Sequence, residues 1–470
     1  MSTEPTRRSR SRARRGRAYL AAFGIVVAAL AVVGVSAAAL GVAQGPRVTG
    51  VQVDPDAAVA ASGSRLIVTT SQSLLEVDDA QVAVEPAAPF AVDTSGRSVG
   101  IRFGLPLADD TEYTVTIERV QGIGGGPEST IVETFRTPPI DVQLLQRGGE
   151  DGDTIFRTDL TGDEAQPIFS HPQIEDFRAT GSHLVVSVRE DDRPALIVTD
   201  LDGGDERELD LPAEAGYITA LQAADRGETV GYVFSEEGLD ADGGIESGLF
   251  TASLDTDAAD TAPTAIEVAG ADARIAEWRF VPDTDSILLL GFDGTLLLTG
   301  SEGGDATSLG TAIAIDGVAG TDAIVERIDG MTVVDLTDGG EEPLVAPDAE
   351  LGLVDGALPV PGGGTLRSSI RLDESGTRSL GAEVTFVAED GAGRGVADID
   401  PADALVQTCV SPSGRYAAVL VAPDAVSNAY DGHHLPLPER LETRVVEIAD
   451  GSAVVSLSGF DISWCRVPPS

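Results

Sequence analysis

The sequence predicts an all-β protein apart from one N-terminal transmembrane helix: a small β-sandwich followed by a β-propeller of seven blades, with six or eight as the alternatives. Three observations carry this reading. An uncharged, apolar stretch of 26 residues stands near the start of the 470-residue chain. Past it, short β-branched or alternating runs are separated by Asp, Gly and Pro, with no sustained helical period. Through the last two-thirds, one strand–turn–strand pattern recurs at intervals suited to propeller blades.

The charge is unevenly placed. The formal net charge is −46, and there is no lysine, so all 31 basic residues are arginine. Residues 1–17 hold seven arginines against Glu4, which leaves 24 basic and 76 acidic residues, a net −52, for the remainder. Such a surface repels nucleic acid and anionic lipid, and excludes nucleic acid as an expected partner. The lysine-free, Ala/Gly/Val/Asp/Arg-rich composition resembles that of high-GC Gram-positive bacteria, with a salt-adapted proteome as the competing explanation.

Residues 1–17 form a basic tail, and residues 18–44 are assigned as a signal anchor. Its apolar part, Ala18–Ala43, exceeds the ~20 residues that cross a bilayer as a helix. The arginines precede it, which keeps the tail cytoplasmic and the C-terminal domains extracellular, in a single-pass protein of the cell membrane. A cleaved signal peptide is the rival, with Gly41-Val42-Ala43 as its cleavage site, although such apolar regions typically run ~7–15 residues. Outside the cytoplasm, the only two cysteines, Cys409 and Cys465, can form a disulfide.

Residues 45–139 read as a β-sandwich. Val48–Val53, Leu66–Thr70, Val82–Val84, Ser98–Phe103, Thr111–Val120 and Thr130–Arg136 alternate or are β-branched, with turns at Asp93–Gly96 and Gly122–Pro127. Roughly seven short strands in ~95 residues suit an immunoglobulin-like fold. LADDTEYTVTI (Leu107–Ile117) and ETFRTPP (Glu133–Pro139) resemble the bacterial Ig-like family of surface-layer and cell-wall proteins. That resemblance implies a spacer or binding module, with Tyr113 in the core or at a corner.

Residues 140–470 carry the repeat. In IVTDLDGGDERELDL (Ile197–Leu211), Leu201 ends one strand and Leu209 sits eight residues later on the next. The offset returns from Leu160 to Ile168, Ser301 to Leu309 and Leu336 to Leu344, with looser versions after Leu254, Ile399 and Ile448. The seven hairpins are spaced by 41, 53, 47, 35, 63 and 49 residues. Seven short apolar strands follow them, beginning at Ile174, Ile218, Ile275, Ile315, Leu351, Val406 and Ile462. CVSPSGRYAAVLVAP (Cys409–Pro423) resembles the Ser-Pro-Asp-Gly-Arg strand pair of TolB-like and WD40-like propellers, with Ser413 in place of Asp.

The last strand, ISWCRV, has no hairpin after it, and the first hairpin has no inner strand before it. One blade is therefore expected to join the C-terminus to residues 141–169, which closes the ring. Aligning the inner strands puts Cys409 and Cys465 at equivalent places on neighbouring blades, in position for a disulfide. The interval Ala357–Ala404, with Pro359, Pro361 and Gly362–Gly364, reads as either a blade with long loops or a poorly packed insertion.

Chemical signatures are sparse. His433 and His434, with Tyr430, Asp431 and Glu439 nearby, are the candidates for a transition-metal site; exposed loop histidines are the commoner explanation of such a pair. The acidic clusters Glu150–Asp153 and Asp240–Gly244 lack the spacing of a calcium loop and read as solvated turns. No nucleophile elbow or phosphate loop is present, and Trp278 and Trp464 read as blade packing. No catalytic residue and no cofactor is assigned. The expectation is a non-enzymatic, membrane-anchored binding or scaffold protein with a protein or cell-envelope partner, its oligomeric state open. The alternative is an extracytoplasmic hydrolase or lyase working in the propeller channel.

Overall fold

A computed structural model describes residues 23, 26–27, 30–32 and 44–469, apart from 150–151, 164, 225–227, 239–242 and 256–260. The basic tail and most of the expected anchor lie outside the described residues. Of those described within the anchor, residues 23, 26–27 and 30–32 are helical and exposed, and Gln44 is in a turn. Among the described residues no helix is long and apolar enough to cross a membrane. The chain divides into two compact units, residues 1–138 and 139–470.

The first unit is a two-sheet sandwich. Its strands are β1 (Val48–Gln52), β2 (Arg65–Thr70), β3 (Val82–Glu85), β4 (Phe90–Ser95), β5 (Ser98–Phe103), β6 (Glu112–Val120) and β7 (Ser129–Arg136). One sheet has the order β1-β2-β5-β4 and the other β3-β6-β7; lettered in chain order, ABED faces CFG. Alternate residues of β2, β5 and β6 point inward, so Leu66, Val68, Val99, Ile101, Phe103, Val115 and Ile117 share one core. Two elements depart from the sequence reading. Pro55–Ala60 forms a short helix α1, started by Pro55 in its first turn and by the Asp54 carboxylate accepting from Ala57 N. Phe90–Ser95, half read as a turn, is a strand whose alternate residues are half-buried.

The second unit contains seven sheets. Six hold four consecutive antiparallel strands, spanning residues 174–209, 216–265, 275–311, 314–343, 353–399 and 404–458; they are blades 2 to 7. Blade 1 holds β8 (Asp141–Gly149), β9 (Gly152–Asp159) and β10 (Gln166–His171) in the order β10-β9-β8. The C-terminal segment completes it along β8. Leu145 N donates to Phe460 O at 2.9 Å, Phe460 N returns the bond to Leu145 O at 3.0 Å, and Ser463 N donates to Gln143 O at 2.9 Å. The expected closure is therefore present, but ISWCRV is not a strand. Asp461 takes a left-handed φ of 57°, and Cys465 N bonds Ile462 O at 2.7 Å, so the chain turns directly after its one bridge at Phe460.

Residues 357–399 belong to a four-stranded blade, with Val384, Val396 and Ile399 in its core, and Ala404 begins the next one. The glycines there serve a tight turn: Gly364 has φ 80°, and a Cβ on it would lie 2.7 Å from the Phe386 ring. The hairpin that set the repeat is the outer strand pair of blade 2, with Leu196 opposite Leu209.

One feature was not legible in the sequence. The first strand of every blade from 2 to 7 shifts register, near its start at Ile174/Asp176, Ile275/Glu277, Ile315/Gly317, Val354/Gly356 and Leu405/Gln407, and in its second half at Thr219/Gln222 in blade 3. A bulge re-aims the side chains beside it, and here it does so on the strands nearest the ring axis.

Candidate functional site

Antiparallel strands place the second-to-third turn of each blade, and the connection to the next blade, at one end of the ring. At that end blade 7 departs from the others. Its second-to-third connection spans residues 423–441, whereas blade 2 manages with 191–192 and blade 5 with 328–329. This long connection is a strap that reaches blades 1, 2 and 3. Arg147 of β8, with a side chain 5 % exposed, pairs with Asp431 at 2.9 Å and donates to Leu435 O, Ile174 O and Glu175 O. The Glu175 carboxylate accepts from His434 N at 3.1 Å and Leu435 N at 2.9 Å. The His434 ring stacks on Tyr217 of blade 3, with centroids 4.0 Å apart.

His433 is the strap's second anchor. Its Nε2 lies 2.6 Å from Asp153 Oδ2, and its Nδ1 lies 3.4 Å from Asp431 Oδ1. Burial alone would raise the Asp153 pKa. The His433 hydrogen bond, the N–H groups of Ile174 and Gly148 and the field of His433 outweigh it, so the pKa is lowered. Of the two candidate histidines, His433 is half-buried between Asp153 and Asp431, while His434 is exposed on the loop, as loop histidines commonly are, with its ring stacked on Tyr217. Among the described residues no group of three or more His, Cys, Asp or Glu is placed to hold a metal ion.

Below the strap end, the bulged strands bring charge into the ring. Asp176, Arg178 and Asp461 are all at least 96 % buried. Arg178 Nη1 lies 2.5 Å from Asp461 Oδ2 and 3.0 Å from Asp176 Oδ1, and Nε donates to Leu221 O of the next blade at 2.8 Å. Burial raises the Asp176 pKa well above the usual range, and repulsion from Asp461 adds to this against the attraction of Arg178. Burial opposes the charge on Arg178, but the two carboxylates outweigh it and its pKa rises. Asp176 Oδ2, Asp461 Oδ1 and Arg178 Nη2 are buried without a partner among the described residues.

Blade 4 repeats this arrangement. Ile275-Ala276-Glu277-Trp278-Arg279 aligns with Ile174-Glu175-Asp176-Phe177-Arg178, and Arg279 donates to Trp278 O and to Ile315 O of blade 5, both at 2.7 Å. This shared Ile-x-acid-aromatic-Arg pattern was the available signal for the inner ring. In blade 5, Asp316 is pushed up to about 6 by burial, with Glu326 and Glu277 adding to the rise and the Ala357 N–H and Arg279 opposing it.

Other expected residues are placed as follows. Cys409 and Cys465 are bonded, with Cα atoms 5.4 Å apart, and tie the first strand of blade 7 to the C-terminal segment. Of the acidic cluster Glu150–Asp153, residues 150–151 lie outside the described residues and Asp153 anchors the strap. In the other cluster, 240–242 lie outside them. The Trp278 indole is fully buried and donates to Ala220 O, while Trp464 stacks on Tyr416 at 6.5 Å. Tyr113 is buried near the start of β6, and its hydroxyl accepts from Ala108 N at 3.0 Å.

No protein family and no curated protein matches the chain. Among solved structures it is similar to a TolB from Agrobacterium tumefaciens, at 13 % identity over 68 % of this chain and 90 % of that one, with a TM-score of 0.35. It is similar to the Swd1 β-propeller domain of Myceliophteria thermophila at 12 % identity over 62 % and 87 %, with a TM-score of 0.39. It is also similar to an oligogalacturonate lyase in complex with manganese at 13 % identity over 76 % and 96 %, with a TM-score of 0.44. These likenesses carry nothing about activity, and the architecture rests on the strand pairing itself.

Proposed function

We propose that this chain is a membrane-anchored, extracytoplasmic binding protein whose propeller is a platform for a protein or cell-envelope component. The observation that carries the reading is the state of the polar groups at the strap end. Asp153, Glu175, Asp431 and His433 are engaged with one another, with Arg147 or with strap backbone, so they hold a surface in place and are not free to act on a substrate. The anchor is supported by the uncharged Ala18–Ala43 behind seven arginines. An Ig-like nature for the sandwich, as spacer or binding module, is supported by the ABED/CFG order and by the Tyr113 bond back to Ala108 N, the geometry of a tyrosine corner.

A second reading, a hydrolase or lyase, is favoured by one observation. Asp176 and Asp461 are two acids held on one arginine, and burial raises the Asp176 pKa well above the usual range, the kind of displacement that general acid–base chemistry uses. Both are at most 3 % exposed, so this reading needs the structure around them to open.

The test is proximity labelling by the full chain in intact membranes, beside assays of glycan and peptide turnover by the same preparation. A reproducible envelope partner, lost when residues 140–470 are deleted, supports the platform. Turnover that disappears in Asp176→Asn, with no partner labelled, replaces it with the enzyme.

A further inference from the structure

The two ends of the propeller differ in what they show to solvent. Among the described residues of this unit, every exposed large apolar side chain except Val454 lies at the strap end. The opposite end is made of turns such as 201–206, 301–305 and 449–452, rich in Asp and Gly. At the strap end Val426 and Tyr430 are exposed on the strap itself, and the other exposed apolar groups lie where the strap does not reach. Phe292 tips blade 4, Ile313 and Ile328 tip blade 5, and Leu353, Leu372 and Leu380 tip blade 6. Ile328 is 96 % exposed and Leu353 62 %. Ile313 and Ile328 flank one strand pair, since Ile313 N donates to Glu326 O at 2.8 Å. Leu353 and Leu372 stand near the same end of a second pair, in which Leu353 faces Ile370 and Leu372 faces Ser379. Three consecutive blades thus carry an apolar arc, and clustered apolar exposure marks an interaction surface more than scattered exposure does.

The charges around the arc restrict what can cover it. Arg274 is held by Asp272 at 2.8 Å, Arg327 by Glu341 at 2.6 Å, and Arg371 by Asp398. Asp293, Asp329, Glu350, Asp355 and Glu374 stand exposed between the apolar tips with no arginine paired to them among the described residues. Against these five acids stands one exposed arginine, Arg378, in the blade 6 turn, so the free charge of the arc is negative, in a chain that is net −52 beyond residue 17. A second copy of this chain and an anionic bilayer would both meet like charge.

We propose that the arc over blades 4 to 6 is the docking surface for a basic protein segment, with apolar side chains seated on Phe292, Ile328 and Leu353 and flanking Arg or Lys facing the acids. This inference rests on the binding-platform reading and names the partner's chemistry.

The experiment uses the full chain and two fluorescent peptides of equal length, one alternating Leu with Arg and one alternating Leu with Glu. The Leu/Arg peptide is expected to bind, and the double substitution Ile328→Ser/Leu353→Ser to weaken it at least tenfold with an unchanged Tm. Because that change removes no charge, it separates the apolar arc from general attraction to an acidic protein. Val454→Ser is the control and should bind as wild type. Equal binding of the Leu/Glu peptide, or wild-type binding by the double variant, overturns the proposal. So does arc-dependent binding to phosphatidylcholine/phosphatidylglycerol vesicles in its place, or arc-dependent self-association. If membrane labelling finds a partner that the double variant retains, the arc fails while the platform stands. If the arc binds the peptide but no partner is labelled, the platform reading fails separately.

Discussion

Blade 1, three strands closed by a C-terminal segment, and the four-stranded blades that follow it are held together differently. Blades 2 to 7 fold from consecutive strands, and their turn carboxylates act locally: Asp200, Asp335 and Asp450 each accept from the backbone N–H two residues on. Blade 1 takes its innermost segment from the far end of the chain, and its joints are long-range. Arg178 reaches Asp461, Cys409 bonds Cys465, and Leu145 pairs with Phe460. A ring of local hairpins needs non-local closure at only one seam, and there loop-closure entropy must be offset at once. The same residue type, aspartate, is a turn-former in the regular blades and a charge partner at the seam.

The seam therefore offers the largest expected effects. Arg178→Met leaves Asp176 and Asp461 buried against each other without a cation, and removing one partner of a buried ion pair typically costs about 3–5 kcal/mol. Denaturant unfolding of the propeller should show a lower midpoint by that amount. A loss under 1 kcal/mol would mean that the two acids already neutralise each other by sharing a proton, and the seam would not depend on charge. The double substitution Cys409→Ser/Cys465→Ser opens a loop with a sequence separation of 56 residues, worth about 4 kcal/mol in the chain-entropy model and often less in practice. Thiol titration of the denatured, unreduced chain should find no free thiol; two would remove the covalent half of the seam.

The repeat made most of this architecture legible. The hairpin spacing and the unpaired terminal motifs gave the blade order and the split blade, because turn residues and strand alternation are local signals. The Cys409–Cys465 pairing is expected from aligning VQTCVSPS with ISWCRVPP as neighbouring inner strands; the bond is present, but only Cys409 lies on a strand, and Cys465 sits in the turn after Phe460. What stayed hidden was non-local or depended on register. The bulges that aim Asp176 and Glu277 leave no compositional mark. The strap's partners Arg147, Asp153, Glu175 and Tyr217 lie more than 200 residues from His433 and His434. With 77 acids in the chain, nothing in the sequence distinguishes the carboxylate that meets a histidine from one that caps a turn.

Asp316 tests whether a regular blade also holds a carboxylate in a strained state. Its pKa is raised to about 6, above the unfolded value near 3.8, so the folded state binds the proton more tightly. That contribution is complete below about pH 4 and is lost as the pH rises past about 6. At pH 7 it leaves a penalty relative to acid of up to about 3 kcal/mol. Asp316→Asn should remove this dependence and raise stability at pH 7, because the amide oxygen can still accept from Ala357 N, as Oδ1 does now at 3.1 Å. A variant less stable than wild type at pH 7 would show that the charge of Asp316 is needed, and that blade 5 uses a carboxylate as the seam does.

Asp200 should give the smallest effect and draw the sharpest line between the two regions. Its Oδ1 accepts from Asp202 N at 2.9 Å and Gly204 N at 2.7 Å, so Asp200→Ala removes two hydrogen bonds at an exposed turn. The turn has other restraints. Gly203 sits at φ 80° with its Cα so close to blade 1 that a Cβ would fall 1.7 Å from Ile168 O, and Gly203 N still donates to Asp200 O. The freed N–H groups can turn to water, which limits the cost to about 1 kcal/mol, read as a shift of the same unfolding midpoint. Gly203→Ala should cost more than Asp200→Ala, since it drives a side chain into the neighbouring blade. Were Asp200→Ala to match Arg178→Met, the turns would be as essential to ring closure as the seam, and the division between local and long-range carboxylates would fail.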